Sequence, residues 1–105
     1  MFDLHEIYHI NVSFNYLTIL DYFADLTAVR FLDASHNEFD SLPVELTTSL
    51  TLLEHLVLSH NHISSLPNNF GELRRLLHLN LSHNEIEEFP NDRMDVLASV
   101  TVRYS

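Results

Sequence analysis

The sequence predicts an α/β solenoid, in which one short unit recurs along the chain. Its strands form a parallel sheet on the concave face, and loops with short helical or 3₁₀ turns form the convex face. Three observations lead there. Four segments, Ile7–Leu17, Val29–Phe39, Leu53–Ile63 and Leu76–Ile86, read IYHINVSFNYL, VRFLDASHNEF, LEHLVLSHNHI and LLHLNLSHNEI and overlay without a gap. Positions 1, 4, 6 and 11 are apolar in all four, and position 9 is asparagine, at Asn15, Asn37, Asn61 and Asn84, spaced by 22, 24 and 23 residues. Within each unit the apolar spacing changes from two, which is strand alternation, to three or four, which is helical.

Each element follows from that pattern. Ile10 and Val12, Leu32 and Ala34, Leu56 and Leu58, and Leu79 and Leu81 point inward from short strands. Beyond the asparagine the third unit continues through Ile63, Leu66, Phe70, Leu73 and Leu76, a compact ascending loop followed by helical or 3₁₀ turns. In the second unit Leu46 and Leu50 lie four apart, so a fuller helical turn is expected over Glu45–Leu53. Three units place proline after an apolar residue, at Leu42-Pro43, Leu66-Pro67 and Phe89-Pro90, in loops where a fixed φ is useful and no ladder donor is needed. The asparagine amide offers both a donor and an acceptor to the inward-facing backbone of its own and the neighbouring coil. A lone unit cannot bury its apolar face, so the units must stack.

The units run over residues 7–28, 29–52, 53–75 and 76–96, with a partial fifth at 97–105, all in one domain. Two registers fit the last piece. Leu97, Val100 and Val102 occupy positions 1, 4 and 6 after a 21-residue unit; Ser99, Val102 and Tyr104 do so after a 23-residue unit. The first is the more hydrophobic and is favoured. Neither end shows a polar capping unit, so the chain is expected to belong to a longer array or to cover its last coil by association.

The recurrent pattern resembles the leucine-rich repeat family, L-x-x-L-x-L-x-x-N-x-L, over residues 4 to 96. The Leu-Pro tails are similar to the short intracellular subclass found in Ras-pathway scaffolds and phosphatase regulators. The resemblance implies a right-handed solenoid whose concave face binds proteins.

Composition narrows the chemistry. The single glycine, Gly71, leaves no glycine-rich phosphate cradle, and the absence of cysteine removes disulfides, thiolate metal sites and thiol nucleophiles. Five arginines and no lysine stand against fifteen carboxylates, a formal net charge of −10 that disfavours nucleic acid and anionic membrane surfaces. The opening residues, with Asp3, His5 and Glu6, do not read as a secretion leader. No stretch approaches the roughly 18 apolar residues of a membrane span. Cytoplasm or nucleus is the expected location.

Positions 3, 5, 7 and 8 are expected to face solvent and to align in columns. Position 3 carries His9, Phe31, His55 and His78; position 5 carries Asn11, Asp33, Val57 and Asn80; position 7 is serine; position 8 carries Phe14, His36, His60 and His83. Phe31 and Val57 are apolar where folding does not require it, which marks a contact surface. The candidate partner-binding residues are Phe31, Asp33, His55, Val57, His78 and Asn80, with Arg30 and Glu54 on the flank.

Six of the eight histidines fall in two columns. Ser-His-Asn is an ordinary form of this repeat, and no acidic or thiolate ligand accompanies the imidazoles at fixed spacing, so no metal or cofactor is expected. Imidazoles about 5–6 Å apart in adjacent coils would repel weakly when charged. Ser35, His36 and Asp33 contain the residue types of a hydrolytic triad, but they recur as scaffold positions and lack a buried orienting group. The acidic run Glu85, Glu87, Glu88, Asp92 and Asp95 reads as a solvated rim. Arg74 and Arg75 are expected to pair locally with Glu72 or Glu54. The expected function is therefore non-enzymatic protein binding through the concave face. The alternatives are the targeting array of a larger signalling protein or enzyme, and a self-associating structural repeat.

Overall fold

A computed structural model describes residues 6–19, 25–42, 44–87 and, as strand backbone, 101–103. Five three-residue strands form one parallel sheet in chain order: β1 (His9–Asn11), β2 (Phe31–Asp33), β3 (His55–Val57), β4 (His78–Asn80) and β5 (Thr101–Arg103). The register joins equivalent positions of successive units, Ile10 to Leu32, Leu32 to Leu56 and Leu56 to Leu79. Every unit therefore enters the sheet at its third position. The chain is an α/β solenoid of the expected kind.

The inward columns form the core. Val29, Leu53 and Leu76 from position 1, Leu32, Leu56 and Leu79 from position 4, and Ala34, Leu58 and Leu81 from position 6 are all buried. Phe39 and Ile63 close the coils from position 11, with Phe70 and Leu73 behind them. In the first coil Ile7, Ile10, Val12 and Leu17 are half-buried, packed against the core from one side.

From the second coil on the asparagines line up inside, Asn37 and Asn61 buried and Asn84 half-buried, while Asn15 of the first coil is exposed. The Asn61 amide nitrogen donates to Leu58 and Ser59 of its own coil and to Ala34 of the preceding one. Its Oδ1 accepts the Phe39 N–H at 3.1 Å. Asn37 and Asn84 repeat both bridges, to Val12 and Leu17 and to Leu58 and Ile63. Among the described residues Asn15, in the first coil, bonds Val12 and Ser13 alone. Backbone that turns away from the sheet thus finds partners without leaving the core.

Three expectations are corrected. The fifth strand takes the 23-residue register: Val102 pairs with Leu79 and stands at position 4, which excludes the favoured 21-residue reading. Repeat length outweighs local hydrophobicity here, because a 21-residue unit would be shorter than all the others. Leu97 and Val100 lie outside the described residues. The helix of the second unit, α1, runs over Val44–Ser49, starting earlier and ending sooner than 45–53. The chain turns at Leu50 so that both Leu50 and Leu53 reach the core, with the Leu53 N–H donating to the Leu50 carbonyl. In the third unit a 3₁₀ turn at Phe70–Glu72 occupies the matching place. Thr47 of α1 donates to Asn69 Oδ1 at 2.7 Å, and Asn69 donates to the Val44 carbonyl, tying these two turns together.

The third correction concerns the serine column. Ser35 and Ser59 are buried, and Ser13 and Ser82 are half-buried. The chain begins to turn inward at position 7, so the side chain does not stay on the strand face.

Candidate functional site

The strand face is built by positions 3, 5 and 8. At position 5, Asn11, Asp33 and Asn80 each use Oδ1 to accept both the N–H and the hydroxyl of the serine two residues later. The hydroxyl bonds are 2.6, 2.6 and 2.7 Å. These Asx-type bonds terminate the strand and start the turn. Val57 has no acceptor to offer, so unit three lacks this cap.

Position 8 follows with a left-handed backbone. Phe14, His36, His60 and His83 have φ between 55° and 59°. That region costs a non-glycine residue roughly 1–2 kcal/mol, and histidine tolerates it better than a bulky aromatic. The geometry carries the ladder onward: the N–H of Phe14, His36 and His60 donates to the carbonyl of Ser35, Ser59 and Ser82 in the next coil. It also stacks the side chains. Successive rings of the position-8 column lie 4.1 Å apart and within 14° of parallel. These imidazoles are closer than the expected 5–6 Å because they stack face to face. His60, flanked on both sides, has its pKa held below the usual imidazole value, first by partial desolvation and then by the charges of His36 and His83.

The position-3 column stacks less evenly. His9 lies on Phe31 at 4.2 Å and 8°, and His55 on His78 at 4.7 Å and 18°. Between these pairs the column opens: Phe31 and His55 are 5.8 Å apart and tilted by 38°. A hollow of about 320 Å³ sits there, walled by Phe31, His55, Val57, His78 and Asn80 and floored by Leu56 and Leu79. Five of the eight sequence-derived candidate residues meet in it. Asp33 stands beside Val57 in the strand register. Glu54 is on the flank, where its carbonyl accepts the N–H groups of Leu77 and His78. Arg30 is turned away, its guanidinium 5.8 Å over the Tyr8 ring. Phe31 and Val57 are half-buried rather than fully exposed, Phe31 being covered on one face by His9.

Sequence reasoning missed the serine caps, the left-handed turns and the ring ladders. The signal for the caps was present, since Asn or Asp two residues before Ser is a known turn pattern. Stacked imidazoles direct their in-plane lone pairs alongside one another, and among the described residues no group of three or more His, Asp or Glu side chains is arranged to share a metal ion. Arg74 pairs with Glu72 and His62 with Glu85, each at 3.9 Å and solvated, so both are energetically minor. Glu85 and Glu87 are exposed, while Glu88, Asp92 and Asp95 lie outside the described residues. Among the described residues no helix is long and apolar enough to cross a membrane.

A family model described as "Leucine rich repeat" matches residues 35–86. No curated protein matches the chain in sequence. Among solved structures, a leucine-rich repeat protein of Leptospira interrogans is 27% identical, with a TM-score of 0.81 over 92% of this chain and 25% of its own. An internalin of Listeria monocytogenes is 20% identical, with a TM-score of 0.72 over 97% of this chain and 31% of its own. The leucine-rich repeat ectodomain of a receptor kinase from Arabidopsis thaliana is 19% identical, with a TM-score of 0.64 over 90% of this chain and 66% of its own. The chain thus spans about a quarter to two thirds of the length of these structures, and the two below 25% identity bear on the fold alone.

Proposed function

The chain is a leucine-rich repeat protein, and from that premise we propose that it binds a protein partner, without chemistry of its own, through the strand face of its sheet. Domains of this family are in general protein-interaction modules. One observation carries the choice of face: the hollow with apolar walls at Phe31 and Val57 and polar ones at His55, His78 and Asn80 interrupts columns that are otherwise polar or closed by ring stacking. The sheet behind it is braced by the asparagine file, so little ordering entropy is lost when a partner seats there. Phe31, His55, Val57, His78 and Asn80 make the central contacts, with Asp33 and Glu54 around them and Arg30, held over Tyr8, at the margin. A Phe31→Ala/Val57→Asp double variant, used beside wild type in affinity capture, is expected to lose the captured partners. Equal recovery by both proteins would rule this face out.

A further inference from the structure

The position-5 column carries information about the partner's chemistry. In units one, two and four, residue 5 performs the same structural task, accepting the serine N–H and hydroxyl. Asn11 and Asn80 perform it with a neutral carboxamide, at 3.0 and 2.6 Å and at 3.1 and 2.7 Å. Asp33 performs it at 3.0 and 2.6 Å, so the same geometry is reached with or without a charge. Its charge is therefore surplus to the cap. The residue is half-buried, and among the described residues no cationic side chain lies within ion-pairing distance of it. Arg30, three residues away, is committed to Tyr8. Asp33 is the strand neighbour of Val57, about 5 Å across the sheet from the wall of the hollow.

An uncompensated, half-buried carboxylate beside a hollow with apolar walls at Phe31 and Val57 is a two-point pattern. We propose that Asp33 and the hollow together receive a protein segment bearing a lysine or arginine next to an aliphatic or aromatic side chain. The base pairs with Asp33, and the apolar group seats between Phe31, Val57 and His78. This site rests on the strand-face reading above and adds the chemistry of the occupant. The formal charge of −10 favours the same class of partner at longer range.

Two substitutions separate the site from the scaffold. Asp33→Asn keeps the cap that Asn11 and Asn80 make and removes only the charge. Val57→Asn gives unit three the side chain found in units one and four and removes the apolar wall. Random heptapeptides displayed against the whole chain, followed by titration of the enriched peptides into the isotope-labelled protein, test the proposal. Enriched peptides are expected to carry Lys or Arg within two residues of an apolar side chain and to shift the amide signals of residues 31–33 and 55–57. They are expected to bind Asp33→Asn about tenfold more weakly than wild type, with a similar loss for Val57→Asn. Acidic or uncharged peptides on the same strands, or full affinity for Asp33→Asn, overturn the two-point site and leave the strand face standing. Peptides that shift only the loop-and-helix side overturn both. A selection that enriches nothing overturns the two-point site.

Discussion

A buried carboxamide has two donors and an acceptor on one small head, and that capacity is what position 9 uses. In the interior coils each asparagine holds its own turn and the one before it, so its removal takes hydrogen bonds from two coils at once. Asn61→Ala leaves the Phe39 N–H without a partner and takes one of two asparagine donors from the Ala34 and Leu58 carbonyls, which keep Asn37 and Asn84, and is expected to cost about 2 kcal/mol in chemical denaturation. Asn15→Ala, at an exposed residue bonded among the described residues only within its own coil, is expected to cost under about 1 kcal/mol. Equal losses would mean that the bridge between coils is not what asparagine supplies. The histidines behave differently. A base whose folded pKa is lowered binds fewer protons folded than unfolded, so stability falls as pH drops through the usual imidazole range toward the lowered value. For His60 that direction predicts that wild type loses more thermal stability between pH 7.5 and 5.5 than His60→Gln does. Parallel losses would show that the stack does not perturb His60. The asparagine role was legible because a polar side chain that recurs in register among apolar columns must meet backbone groups inside every coil. The left-handed turn at position 8 was not, because Phe14 and three histidines replace the glycine that would have announced it.

At the scale of the element, repeat length decides what hydrophobicity leaves open. The inward pairs at positions 4 and 6 are plain in the sequence because strand alternation has a period of two. The fifth strand is harder to read, since Val102 satisfies either register and only pairing with Leu79 distinguishes them. The helix boundaries were blurred for a related reason: Leu46, Leu50 and Leu53 all face inward, although α1 ends at Ser49 and a turn carries the chain onward. Strand ends are set by the position-5 side chain and serine, a coupling hidden from a reading that treats the columns as independent. It yields a test at this scale. Val57→Asn supplies the missing cap of unit three while losing strand propensity, and the two effects are each about 0.5–1 kcal/mol and opposed. Stability is therefore expected to stay within about 0.5 kcal/mol of wild type in urea unfolding. A loss above about 2 kcal/mol would place Val57 in the core rather than at the site.

At the scale of the whole molecule, the sheet, the asparagine file and the ring ladders all run along one axis. The candidate residues come from three successive units, with equivalent positions 24 and 23 residues apart in sequence, and meet because every unit enters the sheet at the same position. That juxtaposition was readable from the repeat. The hollow was not, because it depends on the Phe31 and His55 rings parting while their neighbours stack. The charge of the molecule bears on recognition at this scale too: protonating all eight histidines would take −10 to −2, so long-range attraction for a basic partner weakens in acid. The most direct measurement is amide hydrogen exchange of the whole chain, alone and with its captured partner bound. Slowed exchange is expected across residues 31–33, 55–57 and 78–80, with 44–49 and 70–72 unchanged; slowing confined to 44–49 and 70–72 would contradict binding through the strand face.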